Sequence, residues 1–252
     1  MTVYKIYSNA PKIYEETITI RSYHCDINRQ LTLPKLCSFF QDVAGNHTVA
    51  CGVGWELLQK NKMFWVLSRL RIEIERFPQW HEQIVIRTWS NGLDGLLAIR
   101  HFEVIDQNGL QVIKAISSWL MVNSETRRLI KADEFMRDFP INNHRLFEAN
   151  LAKLPSLENH VEYEPSEVLF TETDMNRHMN NVSYIDRIIN SYGYNFLLGH
   201  QIKNFEINFL KEALPGDFLL VKQQQLKQLH FLNNIVRKSD SAEMVRTQIE
   251  WI

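Results

Sequence analysis

The sequence predicts an α+β protein in which one plan, a long helix followed by about four antiparallel strands, occurs twice. The first observation is an internal repeat: DINRQLTLPKLCSFFQDVAG at residues 26–45 aligns without a gap with DMNRHMNNVSYIDRIINSYG at residues 174–193. A constant offset of 148 relates the identical pairs Asp26 and Asp174, Asn28 and Asn176, Arg29 and Arg177, and Gly45 and Gly193. Such self-similarity is typical of a duplicated structural unit.

The second observation is helical periodicity directly after the start of each repeat. Apolar residues recur there at the three- and four-residue spacing of a helix face. In the first copy they are Leu36, Phe39, Phe40, Val43 and Ala44, and in the second Val182, Ile185, Ile188, Ile189 and Tyr192. Pro34 suits the first turn of the first helix, where its missing N–H costs nothing. Each copy is therefore expected to begin with one long amphipathic helix.

The third observation is a set of strand patterns behind each helix. In RLRIEIE at residues 69–75, apolar residues alternate with charged ones, which is the period of a half-buried strand. Similar runs cover residues 83–89, 96–105 and 110–122 in the first copy and 202–212, 218–225, 229–237 and 243–252 in the second. Turns are expected at Asn108-Gly109, Pro215-Gly216-Asp217 and Ser239-Asp240-Ser241. Leading strands are expected at residues 14–20 and 164–170.

One amphipathic helix lying across a curved antiparallel sheet buries the apolar faces of both through short connections. This is the hotdog arrangement, and the repeat predicts a tandem, or double, hotdog fold. We expect an N-terminal hotdog at residues 1–135 and a C-terminal hotdog at 161–252. Pro140, Pro155 and mixed charges interrupt the periodicity between them, so residues 136–160 are predicted to be a linker.

Composition excludes several classes of protein. The 252 residues carry 28 Lys and Arg against 29 Asp and Glu, so bulk charge does not favour nucleic-acid binding. No apolar run approaches the roughly 20 residues of a membrane span, and the N-terminal residues lack the pattern of a signal or transit peptide. Three cysteines without CxxC spacing argue against a disulfide framework and for a reducing, cytoplasmic setting.

The repeat also provides an internal control for the segment TETDMNRHMNN at residues 171–181. The shared Asp-x-Asn-Arg part is explained by turn and capping chemistry. The second copy, however, has His178 where the first has Gln30, and only histidine exchanges a proton near neutral pH. In an extended segment Asp174, Asn176 and His178 would point to one side. A catalytic or ligand-binding role and elaborate helix capping both remain open on these residues alone.

The run DMNRHMNNVSYI at residues 174–185 resembles the active-site motif of the acyl-ACP thioesterases, double-hotdog enzymes of plants and bacteria that end fatty-acid synthesis. Residues 38–52, 64–89 and 206–217 resemble the same family, so the resemblance covers nearly the whole chain. It implies hydrolysis of fatty acyl-ACP to free fatty acid and ACP, without metal or organic cofactor. It implies an acidic carrier protein as partner and leaves homodimer formation open. The implied catalytic residues are Asp174, Asn176, His178 and Glu212, and Asn180 and Asn181 are implied to bind substrate.

One position departs from the family pattern. Plant relatives have a cysteine directly after the catalytic Glu, where this chain has Ala213, and all three cysteines lie in the first half. A Cys–His mechanism at this site is therefore excluded. We favour water attack on the thioester carbonyl, with His178 and either Glu212 or Asp174 handling the proton and Asn176 orienting substrate or water. Attack by a carboxylate to give a transient acyl anhydride is the alternative.

Three further interpretations accompany this one. The chain could be an acyl-CoA thioesterase or a hotdog dehydratase, because fold alone does not fix function, or a non-catalytic acyl-binding module. No acid is recognised near Phe77, the counterpart of Glu212, so the first half is the expected acyl-chain binding half.

The basic residues of segment 126–137 are either a solvated surface or a dock for the carrier protein; they are Arg127, Arg128, Lys131 and Arg137. The remaining histidines, His47 and His101 among them, are interpreted as core or surface residues.

Overall fold

The computed structural model describes residues 6–252, so the first five residues of the predicted N-terminal half lie outside the described part. The helices within it are α1 (Leu33–Ala50), α2 (Trp55–Lys60), α3 (Asp133–Met136), α4 (Asn181–Asn190) and α5 (Tyr194–Gly199). The strands before residue 150 are β1 (Tyr14–Thr19), β2 (Met63–Ile74), β3 (Gln83–Asp94), β4 (Leu97–Ile105), β5 (Gln111–Asn123) and β6 (Leu129–Ile130). Those after it are β7 (Val161–Glu162), β8 (Ser166–Glu167), β9 (Ile202–Phe209), β10 (Phe218–Lys227), β11 (His230–Arg237) and β12 (Glu243–Trp251).

These residues form two compact units. The first contains residues 6–32, 36–70 and 76–151, and the second contains residues 33–35, 71–75 and 152–252. Residues 136–151 thus belong to the first unit, in which Phe139, Phe147 and Leu151 are buried.

The first unit places α1 against an antiparallel sheet of order β1-β3-β4-β5-β2, with β6 beside β5. Ile86, Val104 and Ile113 pair across β3, β4 and β5 and are all buried, so strand alternation supplies one apolar face. Phe40 of α1 stacks on Phe102 of β4 with ring centroids 4.6 Å apart. Burying side chains of this size contributes about 1.5–3 kcal/mol each. The apolar face of α1 and the apolar face of the sheet are therefore stabilised by packing against each other.

The second unit repeats this construction with the sheet order β9-β12-β11-β10-β7 and with β8 beside β10. Phe205 of β9 pairs with Ile249 of β12, which pairs with Phe231 of β11, and all three side chains are buried. Tyr192, just after α4, meets Phe231 edge to face with centroids 5.2 Å apart. The predicted double hotdog, with one long helix on an antiparallel sheet in each half, is confirmed.

The elements follow the sequence prediction closely, with three differences. The expected second leading strand at residues 164–170 is wrong in extent: short strands β7 and β8 flank Pro165, which has no N–H to donate to a sheet. Strand β2 begins at Met63, before the alternating stretch that predicted it. Helices α2, α3 and α5 and strand β6 are too short to show a periodicity and were not predicted. Within residues 6–252, no helix has both the length and the apolar character needed to span a membrane.

Candidate active site

His178 lies at the base of a tight loop that precedes α4. The Asp174 N–H donates to the His178 carbonyl at 2.9 Å, and the Arg177 N–H donates to the Asp174 carbonyl at 3.0 Å. Arg177 takes a left-handed backbone conformation with φ of 64° to close the loop, which is unusual for a residue with a side chain. Thr173 and Met179 pair as an isolated β-bridge just outside it. The backbone of His178 is therefore fixed from both directions.

Asp174 and Asn176 face each other inside this loop. One oxygen of the Asp174 carboxylate accepts the Asn176 N–H at 2.8 Å, and the other accepts the Asn176 side-chain amide at 3.4 Å. This is the Asx-turn chemistry that the sequence predicts for the motif. The Asp174 carboxylate thus holds the loop and orients the Asn176 amide.

Glu212 supplies the carboxylate that approaches the imidazole. Its Oε2 lies 3.4 Å from Nε2 of His178, and the two side chains are 39% and 24% exposed respectively. A carboxylate at this position can orient the imidazole and stabilise its protonated form. Catalytic hydrogen bonds are often long before a substrate binds, and the partial exposure leaves room for one to approach.

Backbone hydrogen bonds hold the Glu212 segment against the His178 loop. The N–H of Met179, which follows His178, donates to the carbonyl of Ala213, which follows Glu212, at 2.9 Å. The Ala213 N–H donates in turn to the Tyr184 hydroxyl at 2.8 Å. Beyond it, the Asp217 carboxylate accepts the Leu214 N–H at 2.9 Å in the predicted Pro-Gly turn. Residues 34 positions apart in the chain are brought together in this way.

Asn180 and Asn181 begin α4. Asn180 is the N-cap, and its side-chain oxygen accepts the Val182 N–H at 3.0 Å. This contact is the capping role expected of one amide in the motif. Asn181 is the first helical residue. Substrate binding by these two residues remains a prediction.

An ion pair that the sequence did not single out supports the loop from behind. The Glu172 carboxylate accepts from Arg187 of α4 at 2.6 and 2.7 Å, and Arg187 also donates to the Glu167 carbonyl. Burial alone would raise the pKa of Glu172, but the Arg187 hydrogen bonds, the Leu169 N–H and the Arg187 charge together outweigh burial and lower the pKa. Bidentate pairs of this kind fix orientation as well as distance, so Arg187 ties α4 to the segment before the loop.

The first unit contains the same loop with different side chains at the two candidate positions. The Asp26 N–H donates to the Gln30 carbonyl at 2.9 Å, the Asn28 N–H donates to the Asp26 carboxylate at 2.8 Å, and Arg29 has φ of 61°. The counterpart of the Met179–Ala213 bond is the Leu31 N–H donating to the Pro78 carbonyl at 2.8 Å.

That bond identifies the structural equivalent of the candidate acid. Because Pro78 corresponds to Ala213, the residue before it, Phe77, corresponds to Glu212. Phe77 is buried. The imidazole and carboxylate of the second unit are thus replaced in the first by the Gln30 amide and an apolar ring. The shared part of the motif builds the loop, and the loop forms without an imidazole or a carboxylate at these two positions.

Two models of the acyl-ACP thioesterase family match most of the chain. The N-terminal domain matches residues 11–139, and the C-terminal domain matches residues 156–252. The chain belongs to the acyl-ACP thioesterase family.

Named relatives and solved structures agree with this membership. Oleoyl-acyl carrier protein thioesterase 2, chloroplastic, of Arabidopsis thaliana is 28% identical over 232 residues, or 82% of this chain and 61% of the plant protein. Palmitoyl-acyl carrier protein thioesterase, chloroplastic, of the same plant is 26% identical over 95% of this chain and 64% of its own length. The chain thus spans about three fifths of the length of these plant relatives.

Two solved structures extend over nearly the whole chain. An acyl-ACP thioesterase from Bacteroides thetaiotaomicron superposes with a TM-score of 0.88 at 25% identity, covering 96% of this chain and 98% of its own. The 12:0-ACP thioesterase from Umbellularia californica gives a TM-score of 0.85 at 20% identity, covering 98% and 99%, and supports the fold alone.

The cysteines of this thioesterase-family chain are expected to be dispensable for turnover. Cys25, Cys37 and Cys51 form no disulfide within the described part of the chain, and all lie in the first unit. Burial raises the pKa of Cys51 to about 11 and also raises that of Cys25, so neither is an activated thiolate. Replacing all three by alanine should leave kcat within a few-fold of wild type. Steady-state kinetics check this, and loss of turnover in a triple variant with a native circular dichroism spectrum would reinstate a thiol mechanism.

Proposed function

We propose that this chain hydrolyses the thioester of fatty acyl-ACP to free fatty acid and ACP, the step that ends fatty-acid synthesis. The observation that carries the proposal is the pair formed by His178 and Glu212, 3.4 Å apart in the second unit. The repeated unit keeps the surrounding loop but lacks both groups, so the loop does not need them. Family membership supports acyl-ACP as the substrate class.

The pair supports water attack on the thioester. His178 accepts a proton from water as the water oxygen attacks the carbonyl carbon, and Glu212 stabilises the resulting imidazolium. The C–S bond then breaks, and the departing thiolate takes the proton from His178 to leave as free thiol. A thiolate is a good leaving group, so one histidine acting as general base suffices.

Asp174 and Asn176 have supporting roles in this scheme. The Asp174 carboxylate accepts both the backbone N–H and the side-chain amide of Asn176. We therefore assign the partnership with His178 to Glu212 and not to Asp174. Asn176, held by Asp174, is proposed to orient the substrate carbonyl or the attacking water.

The carrier protein is the proposed partner, and the basic residues of segment 126–137 are its proposed dock. Arg127, Arg128, Lys131 and Arg137 are all exposed, and the Arg127 guanidinium lies 5.0 Å over the Phe64 ring. Electrostatic steering of an acidic partner raises association rates more than affinity. A reducing, cytoplasmic setting is proposed because the three cysteines form no disulfide among the described residues.

The test is a ladder of substrates that differ in chain length and in carrier. Purified protein is incubated with acyl-ACPs and acyl-CoAs in buffer containing EDTA, while released thiol and free fatty acid are measured together. We expect stoichiometric thiol and fatty acid, with a larger kcat/KM for ACP than for CoA. EDTA should not inhibit, because the proposed chemistry needs no metal. Among residues 6–252, no three His, Cys, Asp or Glu side chains are grouped to hold one.

Each alternative gives a different result once 3-hydroxyacyl thioesters are added to the ladder and enoyl product and acyl-ACP binding are measured as well. A larger kcat/KM for acyl-CoA would indicate an acyl-CoA thioesterase. Water loss from a 3-hydroxyacyl thioester without thiol release would indicate a dehydratase. Saturable binding of acyl-ACP with neither reaction would indicate an acyl-binding module and would overturn the enzymatic proposal.

A further inference from the structure

Tyr184 is joined to the candidate site through one backbone group. It lies in the first turns of α4, is 2% exposed, and its hydroxyl accepts the Ala213 N–H at 2.8 Å. The carbonyl of the same residue accepts the Met179 N–H at 2.9 Å. Ala213 is therefore held at both of its polar backbone groups, and the residue directly before it is Glu212.

The internal repeat shows that the fold alone does not require this hydrogen bond. At the offset of 148 the counterpart of Tyr184 is Leu36, which has no hydroxyl and is fully buried. The counterpart of Ala213 is Pro78, which has no N–H to donate. Both the acceptor and the donor of the bond are thus missing in the first unit, although that unit packs the same helix position into its core.

The presence of the bond follows the presence of the reactive pair. The second unit has Tyr184, the Ala213 N–H, Glu212 and His178 together. The first unit has Leu36, Pro78, Phe77 and Gln30 at the same positions. If the Tyr184 ring only filled the core, its hydroxyl would not be expected to occur in the same unit as the carboxylate and the imidazole and to be absent from the unit that lacks them.

We propose that Tyr184 is a positioning residue that fixes the Ala213 backbone and so places the Glu212 carboxylate opposite His178. Its consequence for catalysis rests on the proposed function; its consequence for the geometry of the pair does not. Burial raises the pKa of Tyr184 to about 12, and the nearby Glu212 acts in the same direction. The hydroxyl therefore stays neutral near pH 7, and it adds no second negative charge beside the Glu212 carboxylate.

The test is Tyr184→Phe, which removes one oxygen and keeps the ring in the core. Because small displacements of catalytic groups cost rate more than binding, we expect kcat for acyl-ACP to fall about 10–100-fold and KM to change less than about twofold. In NMR spectra of the protein without substrate, we expect the ring resonances of His178 to shift, because the carboxylate facing them has moved.

Tyr192→Phe is the matched control. Tyr192 lies just after α4 in the second unit. Its hydroxyl pairs with the Asn233 side chain, accepting from the amide nitrogen at 3.0 Å and donating to the amide oxygen at 3.3 Å, and not with the Ala213 backbone. This variant should lose thermal stability to a comparable degree. Its kcat and its His178 resonances should remain those of the wild type.

The outcomes separate this inference from the proposed function. Equal kcat losses in the two tyrosine variants, or unchanged His178 resonances in Tyr184→Phe, would overturn the positioning role. If the wild type releases no thiol at all, the proposed function fails, and the NMR comparison still decides the role of Tyr184. In a Glu212→Gln background, Tyr184→Phe should cause no further loss of kcat. A further loss would show that the tyrosine acts by another route.

Discussion

Replacing His178 by glutamine is expected to lower kcat for acyl-ACP by about 10²–10⁴-fold, the usual contribution of a positioned general base. Glutamine forms hydrogen bonds of similar reach but cannot accept and return a proton near neutral pH. Binding of acyl-ACP should persist, because His178 is assigned to the chemical step. Single-turnover thiol release measures the loss in the chemical step, and a separate titration of the variant with acyl-ACP measures whether binding persists.

Folding of the His178→Gln variant is expected to be unimpaired, and the first unit gives the reason. There Gln30 occupies the same loop position, with the same Asp26–Gln30 backbone bond that Asp174 and His178 form. The variant therefore gives the second loop a residue that the equivalent loop already accommodates. We expect its melting temperature to stay within about 2 °C of wild type, since only changes near 1 kcal/mol produce larger shifts.

The reverse substitution is the control. Gln30→His should create no second active site, because Phe77 stands where Glu212 would be needed, and Thr32 and Leu33 replace the two asparagines. The variant should match wild type in kcat. If His178→Gln turned over within a few-fold of wild type, the motif would be a loop and cap alone, and the reaction would have to be assigned elsewhere.

Much of the fold could be predicted because its signals are local and periodic. Strand alternation in residues 69–75 and apolar spacing in the segment of α1 each report a buried face directly. The length of strand β2 was underestimated because residues 63–68 are mostly apolar and do not alternate with charged residues. The short strands β7 and β8 depend on pairing with β10, which is a tertiary contact that their own residues do not reveal.

The site was less accessible to sequence reasoning, for a different physical reason. The repeat singled out His178 because Gln30 takes its place, but His178 and Glu212 meet only through folding, and Glu212 was found through family resemblance. Tyr184 could have been noticed because it aligns with Leu36 when the two repeats are compared. Its partner is a backbone N–H, however, and a sequence does not show which amide a hydroxyl will meet.

The second large effect is expected in stability, as a loss of unfolding free energy below about pH 6.5 that originates in the first unit. His101 of β4 is fully buried, and both of its ring nitrogens lack a hydrogen-bond partner among the described residues. Its ring stacks with Trp89 and Phe147, with centroids 5.8 and 6.4 Å away. Burial lowers its pKa from 6.5 to about 4, and Arg145 and His144 act in the same direction.

His47 of α1 adds a second buried imidazole. Its Nδ1 lies 2.9 Å from the guanidinium of Arg100, and its Nε2 lies 2.8 Å from the Pro11 carbonyl. Burial and then the Arg100 charge lower its pKa to about 4, against a smaller opposing effect of the Pro11 carbonyl. Protonating this ring would place two cations together in the core.

The direction of the effect follows from these lowered pKa values. Between about pH 6.5 and pH 4 the unfolded chain binds a proton at each histidine that the folded chain does not bind, so acid favours the unfolded state. While that difference is complete, each site removes about 1.4 kcal/mol of unfolding free energy per pH unit. Urea midpoints followed by circular dichroism at intervals from about pH 7.5 to about pH 5 measure the resulting slope.

His101→Phe should reduce that slope by about 1.4 kcal/mol per pH unit, the contribution of one proton. It should also raise the unfolding free energy, because a phenyl ring can stack in the same place without buried, unpartnered nitrogens. Phe102→Leu is the control on the same strand: it loses core packing but no titrating group, so its midpoint should fall by a similar amount at every pH. A His101→Phe variant that keeps the full wild-type slope would show that His101 does not contribute to the acid sensitivity. The slope would then have to be assigned to His47 or to the carboxylates.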